Sequence, residues 1–220
     1  KKIVQEQISL INTIKALLFY CCILLLTPCR VILCTTNNLV CSNSYVILLA
    51  LYQITHPGGK LSFMGSEFGQ FIEWREYESL EWFLLSYDTH AGVQRFFRDA
   101  NRLYLREKSL YEQDHGWEGF RWLDADNAGQ SVLAYRRIAG DGEETLCVLH
   151  FSPDKCIYRL GVPQAGVYEE LINSDDPAYG GSGKVHKTPL MSEDIPAQGM
   201  AQSLVLERPP VGGMILKSVR

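Results

Sequence analysis

The spacing of apolar residues follows a helical period in the middle of the chain. Six apolar positions recur three and four residues apart, while arginines and Asp99 fall largely on the opposite face, which predicts an amphipathic helix. The six positions are Val93, Phe96, Phe97, Ala100, Leu103 and Tyr104. The helix is predicted to begin after an N-cap at residues 88–90 and to end near Glu107 or Leu110. We interpret its aromatic stripe as a packing surface and not as a binding site.

Past Trp117 the pattern changes from helical to alternating. Seven short segments alternate apolar and polar residues, and turns rich in Gly, Pro and Asp separate them. The segments are residues 119–123, 131–137, 145–151, 156–160, 166–172, 202–206 and 213–217. Strands of this length and spacing predict an antiparallel β-sandwich.

A third pattern lies at residues 60–64, where a short apolar run ends at Gly65. Such a run predicts a buried strand. Gly65 and Gly69 then bracket the carboxylate of Glu67 in the loop that follows the predicted strand. In barrels that alternate strands and helices, active sites are assembled at the C-terminal ends of the strands. The loop is therefore a candidate part of a functional site.

The residues of this loop and of the segments after it resemble a known family. Residues 56–70, 73–74 and 79–82 are similar to the last barrel strand and the following loop of the glucan (glycogen) branching enzymes, which belong to the α-amylase superfamily. Residues 90–104 are similar to the helix that closes the barrel in that family, and residues 171–183 are similar to part of its C-terminal sandwich.

The resemblance extends from about Val46 to the C terminus and implies a fold and a function. It implies an α+β fragment in which the last strand and helix of a (β/α)8 barrel, residues 46–115, precede an all-β antiparallel sandwich domain, residues 116–220. Enzymes of this family cleave an α-1,4-glucan and transfer the released segment to form α-1,6 branches. This retaining glycosyltransferase reaction belongs to glycogen biosynthesis.

The catalytic residues that the family uses are not matched in this chain. A retaining reaction of this type needs two carboxyl groups about 5 Å apart. In the family, the nucleophilic Asp, the acid/base Glu and a third Asp in a His-Asp pair lie on earlier barrel strands. The one similar pair here, Asp114-His115, has the reverse order and follows the helix. We therefore expect no catalytic residue in this chain, and we expect the chain to be inactive alone.

Five residues are expected at the edge of the active site of a complete enzyme, where they would bind an α-glucan. They are Gly65, Glu67, Gln70, Trp74 and Trp82. The flat apolar faces of tryptophan suit the C–H surfaces of sugar rings. A packing role for both tryptophans stays open as the alternative. The nearby glutamates are expected to form a solvated acidic loop: Glu73, Glu76, Glu78 and Glu81.

Residues 1–45 differ in composition from the rest of the chain. They are apolar and hold five of the seven cysteines, and the first Gly and the first Asp of the chain come only at Gly58 and Asp88. The apolar run at residues 16–26 is too short to span a membrane, which takes roughly 20 residues. Three interpretations stay open: a membrane or export segment, a buried core helix, or sequence that is not native to the family. The shortage of turn residues favours the third. Residues 45–52 are expected to form the second half of an apolar helix.

The charge of the chain indicates which classes of partner it does not bind. The chain has a net charge of −4 although its first 55 residues carry +3, so its body is acidic and has no basic patch interleaved with aromatics. Nucleic acid and anionic membranes are therefore not expected as partners.

The cysteines lack metal-binding spacing, and only Cys147 and Cys156 lie in the patterned part, which argues for a reducing, cytoplasmic location. No metal or organic cofactor is expected, and the oligomeric state stays open.

Two other functions remain as alternatives. The sandwich could be a non-catalytic carbohydrate-binding module that holds glucan through exposed aromatics such as Trp117 and Trp122. The chain could also be an accessory protein tethered to a membrane by residues 16–33. The first alternative requires that both tryptophan rings are exposed.

Overall fold

The computed structural model of the protein describes residues 36–72 and 74–219. Three α-helices are followed by eight strands in this part of the chain. The helices are α1 (Thr36–Thr55), α2 (Asp88–Arg106) and α3 (Lys108–Tyr111). The strands are β1 (Phe120–Asn127), β2 (Val132–Ile138), β3 (Glu144–His150), β4 (Cys156–Val162), β5 (Val167–Asn173), β6 (Leu190–Met191), β7 (Gln202–Arg208) and β8 (Gly212–Val219).

The strands form an antiparallel sandwich of two unequal sheets. Six strands pair in the order β1-β2-β3-β8-β5-β6, and β4 pairs with β7 in the second sheet. The seven predicted strands are all confirmed. Strand β6 was not predicted, because its two residues, paired with Val167 and Tyr168, are too few to show an alternating pattern.

The central strands of the six-stranded sheet are buried on both faces, because they place alternate residues in two different cores. Leu133 and Leu149 pair across β2 and β3 and face the helices, whereas Ala134 and Val148 pair in the next register position and face the second sheet. Burial on both faces explains why almost every residue of β2 and β3 is buried, in contrast to a sheet with one solvated face.

Helix α2 confirms the predicted amphipathic pattern, and its aromatic stripe is packing surface as expected. Phe96 is fully buried and Phe97 nearly so. The predicted N-cap is wrong: Tyr87 precedes the first turn and makes no side-chain capping bond, while Asp88 is already helical. An acidic residue in the first turn favours the helix through its charge rather than by capping. The helix ends at Arg106, one residue before Glu107, the nearer of the two predicted ends, because the chain turns at Glu107 before α3 begins.

Helix α1 covers the apolar face of α2 and also contacts the large sheet. Ile47, Leu48, Leu51 and Ile54 are buried in the same core as Phe96. The helix ends at Thr55, as expected for the end of an apolar helix at residues 45–52, and its first residue is Thr36. No helix in residues 36–72 or 74–219 is long and apolar enough to cross a membrane. The interpretations of residues 16–26 and of the cysteines before residue 35 concern sequence outside the described residues.

The buried strand predicted at residues 60–64 is wrong. This segment has no regular secondary structure, and the exposed fractions of Leu61, Phe63 and Met64 are 81, 55 and 53 %. A buried strand needs neighbours on both edges and both faces. All strands in the described residues belong to the sandwich, and none of them pairs with this segment.

Helix α2 and the loop after β5 touch through a glycine. A Cβ atom built on Gly92 would lie 2.6 Å from the carbonyl oxygen of Tyr179, which is closer than real Cβ contacts come. The backbone carbonyl cannot move aside like a side chain, since Arg95 Nε holds the neighbouring Ala178 carbonyl at 2.7 Å and the Tyr179 ring packs edge-on against Phe96. The contact therefore fixes the distance between the helix and the sandwich.

We expect Gly92→Ala to lower the free energy of unfolding by about 1–3 kcal/mol, the usual cost of overpacking. This outcome runs against helix propensity, which favours Ala over Gly by up to about 1 kcal/mol. Urea denaturation measures the change. Gly129→Ala is the matched control, because nothing lies within 4 Å of a Cβ there, and its effect should stay within about 0.5 kcal/mol. A stabilised Gly92→Ala variant would show that the helix and the loop do not touch.

Candidate functional site

The loop at residues 65–70 is a compact turn that two glycines shape. Gly65 and Gly69 both have positive φ, at 85° and 67°, and bracket a short 3₁₀ helix, Ser66–Phe68. The Gln70 amide donates to the Gly65 carbonyl oxygen at 2.9 Å and closes the turn. Positive φ is strained for residues with a side chain, so the spacing of the glycines sets the conformation of the turn.

The turn is fixed to helix α2 through a buried residue. Phe68 is fully buried, and the His90 ring donates from Nδ1 to the Phe68 carbonyl oxygen at 2.8 Å. The ring of Phe71 stands edge-on against His90, with centroids 4.9 Å apart. The turn is therefore held in place by the helix that follows it in sequence.

Glu67 is at the outer side of this turn. Its side chain is half-buried, whereas the neighbouring Phe68 is fully buried. Within residues 36–72 and 74–219 its carboxylate has no hydrogen-bond or ion-pair partner. It is therefore free to accept hydrogen bonds from a ligand, such as the hydroxyl groups of a sugar.

Gln70 and Glu81 tie the turn to the segment that follows it. The Gln70 side chain accepts a hydrogen bond from the Glu81 amide at 3.0 Å and donates to the Ile72 carbonyl at 2.8 Å. The Glu81 carboxylate in turn accepts from the amides of Phe71 and Ile72, at 3.1 and 3.3 Å. Gln70 therefore positions the loop and does not point away as a free ligand-binding group.

The structure corrects the view of Glu81 as a solvated acid. Glu76 and Glu78 are exposed, as expected, and Glu78 pairs only with Arg75 on the surface. Glu81 is half-buried and organises two backbone amides instead. Composition could not separate these three glutamates. The signal that distinguishes Glu81 is its place next to the apolar residues that pack against the turn. The position of Glu73 lies outside the described residues.

Two tryptophans flank the turn, in different environments. The Trp82 side chain is 51 % exposed, and its ring lies over the buried Phe68 with centroids 5.2 Å apart. Trp74 is half-buried and meets the exposed Phe63 edge-on, with centroids 6.2 Å apart. Trp82 thus has one face supported by the protein and about half of its surface open to solvent, which is the arrangement of a stacking platform.

A buried charge network anchors the segment before the turn. Arg137 is fully buried and donates to the Asp114 carboxylate at 2.9 Å and to the Thr55 carbonyl at 2.7 Å. The Lys60 ammonium group and the Tyr104 hydroxyl donate to the other Asp114 oxygen, at 2.8 and 2.9 Å. Burial alone would raise the pKa of Asp114, but these hydrogen bonds outweigh it and hold the pKa below its usual value. The network joins the end of α1, the segment at residue 60 and strand β2.

A wide cleft lies elsewhere on the described part of the molecule. It has a volume of about 620 Å³ and lies between the end of α2 and strands β3, β5 and β8. Lys217 in its wall bridges Glu107 at 2.7 Å and Glu143 at 3.3 Å, whereas Glu169 and Glu170 of the same wall form no ion pair among the described residues. Within the described part of the chain, no three His, Cys, Asp or Glu side chains cluster as metal ligands.

The two tryptophans of the sandwich do not form a joint binding surface. Trp117 is 65 % exposed. Trp122 is partly buried and packs edge-on against Phe120 and Tyr135, with centroids 4.9 and 5.5 Å apart. The interpretation of both rings as an exposed glucan-binding row is therefore wrong, because Trp122 belongs to the core between the sheet and the helices.

Comparison with known proteins identifies the relatives of this chain. Residues 122–219 match the family model of the alpha amylase C-terminal all-beta domain. The chain is 44% identical over 171 residues to the 1,4-alpha-glucan branching enzyme GlgB of Cellvibrio japonicus, and 47% identical over 164 residues to that of Pseudomonas syringae pv. syringae. These alignments cover 77% and 74% of this chain but 23% and 22% of the relatives. The chain thus spans about a quarter of the length of the relatives that it matches.

Solved structures show the same fold at low sequence identity. A debranching enzyme of Nostoc punctiforme superposes with a TM-score of 0.55 at 17% identity, covering 80% of this chain and 31% of that one. AmyP in complex with maltose superposes with a TM-score of 0.56 at 10% identity, covering 80% and 34%. At these identities the superpositions support the fold alone.

Proposed function

The chain corresponds in sequence to the C-terminal part of the 1,4-alpha-glucan branching enzymes, within the α-amylase superfamily, and on that premise we propose that it is the C-terminal part of such an enzyme. In this role, residues 46–115 contribute the end of the catalytic barrel and residues 116–220 form the C-terminal sandwich domain. The observation that carries the proposal is the 43% identity over 172 residues to the branching enzyme of Francisella tularensis subsp. novicida, which includes 77% of this chain.

The candidate site contributes to glucan binding and not to bond cleavage. Trp82 offers a half-exposed ring supported by Phe68, and Glu67 offers a carboxylate without a partner among the described residues. Gly65 and Gln70 give the turn its conformation, and Trp74 flanks it. A double displacement needs two carboxyl groups about 5 Å apart. The turn itself supplies one carboxylate, so the reacting carboxyl groups would come from the rest of the barrel.

The ligand of this site is an α-glucan, and the reaction that it serves is the transfer of an α-1,4 segment to an α-1,6 position. We also propose a cytoplasmic location. Its support is that Cys147, a buried thiol, forms no disulfide among the described residues, as is usual for proteins of a reducing compartment.

Affinity electrophoresis of the 220-residue chain in gels that contain amylopectin tests the site. We expect retardation that weakens about tenfold in Trp82→Ala, because removal of one aromatic platform costs on the order of 1.4 kcal/mol of binding. Trp117→Ala removes a ring that is even more exposed than that of Trp82 and serves as the control, with retardation unchanged. The chain alone should form no α-1,6 branches from amylose.

The two variants separate the two candidate functions. Loss of retardation in Trp117→Ala, with Trp82→Ala unaffected, would move glucan binding to the sandwich and make the chain a binding module. Branch formation by the purified chain would overturn the assignment of catalysis to residues outside it.

A further inference from the structure

A strap of backbone crosses the two-stranded sheet of the sandwich. The strap, residues 193–200, bridges Ser203 on the side of β7 that faces away from β4. It turns back between Ala197 and Met200, which exchange both backbone hydrogen bonds at 3.0 and 2.8 Å. Near this turn the strap touches β4, because a Cβ atom built on Gly161 would collide with the Ala197 carbonyl oxygen. The strap therefore reaches from the far edge of β7 across to β4.

The side chain of Gln198, at the tip of the strap, occupies the outer edge of β4. Its Oε1 atom accepts a hydrogen bond from the Gly161 amide, and its Nε2 atom donates to the Arg159 carbonyl oxygen at 2.9 Å. A strand in a parallel ladder makes the same pair of bonds to residues two positions apart. In residues 36–72 and 74–219, β4 pairs with no strand but β7, so no strand covers its other edge. The Gln198 amide therefore stands in for a neighbouring strand.

The turn that carries Gln198 has a backbone conformation that glutamine does not favour. Gln198 and Gly199 both have positive φ, at 44° and 76°, which is the pattern of a type I′ hairpin turn. Positive φ is strained for a residue with a side chain, and Asn tolerates it better than most other residues do. Asn would therefore suit this turn, but its side chain is one methylene group shorter. The reach of Gln198 to β4 offsets its poorer fit to the turn.

We propose that Gln198 is an edge plug, which keeps the outer edge of β4 from pairing with the same edge of a second copy of this chain. An uncovered strand edge is a template for pairing with another chain, and proteins cover such edges to avoid association. Two copies related by a two-fold axis would present the same edge to each other and could join their two-stranded sheets into one four-stranded sheet. Ile157 on this strand is 69 % exposed and would add an apolar side chain to the contact.

The base of the strap is held by contacts that do not involve Gln198. The Arg159 guanidinium group donates to the Glu193 carboxylate at 2.6 Å and to the Ser203 hydroxyl at 2.9 Å. The Ser203 hydroxyl donates in turn to the Ile195 carbonyl oxygen at 2.6 Å. A shorter side chain at residue 198 should therefore uncover the edge of β4 and leave the fold of the sandwich intact.

Hydrogen exchange at the Gly161 amide measures the plug in the 220-residue chain. Gln198→Asn keeps a residue that the turn favours but shortens the side chain that reaches β4. In dilute solution we expect the Gly161 amide to exchange about tenfold faster in this variant than in the parent chain, the effect of one net hydrogen bond. The amides of Tyr158 and Leu160 lie on residues that pair with β7 and should exchange as slowly as in the parent. Equal exchange at Gly161 in both chains would overturn the proposal.

Sedimentation velocity across a dilution series measures the association that the plug prevents. We expect the weight-average mass of Gln198→Asn to rise with concentration toward that of a dimer, beyond any rise in the parent. Gln164→Asn makes the same change at an exposed glutamine and serves as the matched control, with the mass of the parent. Addition of Ile157→Pro to Gln198→Asn should restore the parent's mass. The Ile157 backbone groups point away from β7, where Gln130 bonds the Ile157 carbonyl, and an edge strand tolerates proline there.

A second variant separates the hydrogen bonds of Gln198 from the turn. Gln198→Met keeps the length of the side chain but makes neither bond, so it should associate as Gln198→Asn does. Association of Gln198→Met alone would overturn the proposal, because the turn and not the lost bonds would then be the cause. Association of Gln198→Asn that persists after Ile157→Pro would place the contact on another surface and overturn it as well. So would a Gln198→Asn chain that exchanges fast at Gly161 and has the parent's mass at every concentration.

Discussion

Replacement of Arg137 by Met is expected to lower the free energy of unfolding by about 3–5 kcal/mol, the usual cost of breaking a buried ion pair. Arg137 is fully buried, and the Asp114 side chain is 5 % exposed. The variant would remove the donor to the Asp114 carboxylate and the donors to the Thr55 and Gly119 carbonyl groups. Methionine fills a similar volume but satisfies none of these oxygens. Urea denaturation measures the change.

The matched control is the exposed ion pair between Lys108 and Asp141, whose side chains are 54 and 46 % exposed. Lys108→Met should change stability by less than about 1 kcal/mol, because solvent screens such pairs. If both variants cost the same, the Arg137 network would not be the anchor of the segment at residue 60.

The pH dependence of stability gives an independent check of the same network. The pKa of Asp114 is lower in the folded protein than in the unfolded chain, where a value of about 3.9 is usual. The contribution of Asp114 is therefore present above about pH 4 and is lost as the pH falls through its folded pKa. In Arg137→Met one of the groups that lower this pKa is gone, so the decline of stability in acid should be shallower than in the parent chain. A decline of equal steepness would show that other carboxylates cause it.

The sandwich could be predicted from the sequence because its strands carry their own pattern. The apolar residues and bounding turns of residues 145–151 predict a strand. In the structure this strand is β3, and each of its ends lies within one residue of the predicted end. Residues 213–217 lie within β8, which begins one residue before them and ends two residues after them. Local alternation and turn residues are properties of each segment alone, so no knowledge of its neighbours was needed.

Features that depend on distant partners could not be predicted. Residues 60–64 have the composition of a buried strand, yet a strand exists only where another strand pairs with it, and none does in the described residues. The role of Glu81 depends on the amides of Phe71 and Ile72, which a turn brings close to it. The buried position of Arg137 depends on Asp114 and on two carbonyl groups from separate segments.

The candidate site also combines features that the sequence predicts with features that depend on distant contacts. The conformation of the turn follows from Gly65 and Gly69, which the sequence displays openly. The difference between the two tryptophans does not follow from the sequence. The Trp82 ring is half exposed and packs on the buried Phe68, whereas the Trp74 ring contacts the exposed Phe63. Residue type indicated a stacking surface, and packing decides which of the two rings can serve as one.

Helix α1 is expected to be an integral part of the fold, although the sequence left its relation to the rest of the chain open. Leu51 is 1 % exposed and meets the large sheet: a Cβ on Gly213 would lie 2.8 Å from the Leu51 Cδ2 atom. We expect Leu51→Ala to lower the free energy of unfolding by about 2–5 kcal/mol. The substitution leaves a cavity between the helix and the sheet, and these two elements cannot move close enough to fill it. Thermal and urea unfolding measure the effect.

Leu61→Ala is the control for this prediction, since it makes the same chemical change at a residue that is 81 % exposed, and its effect should stay within about 0.5 kcal/mol. If Leu51→Ala lowered the free energy of unfolding as little as Leu61→Ala, helix α1 would not pack on the sandwich. Another segment would then have to pack against the apolar face of α2. A large cost confined to Leu51 would mean that the end of α1 is as much a part of this domain as the strands on which it packs. The same cost would make residues 46–55 part of the unit that presents the turn at residues 65–70 to a glucan.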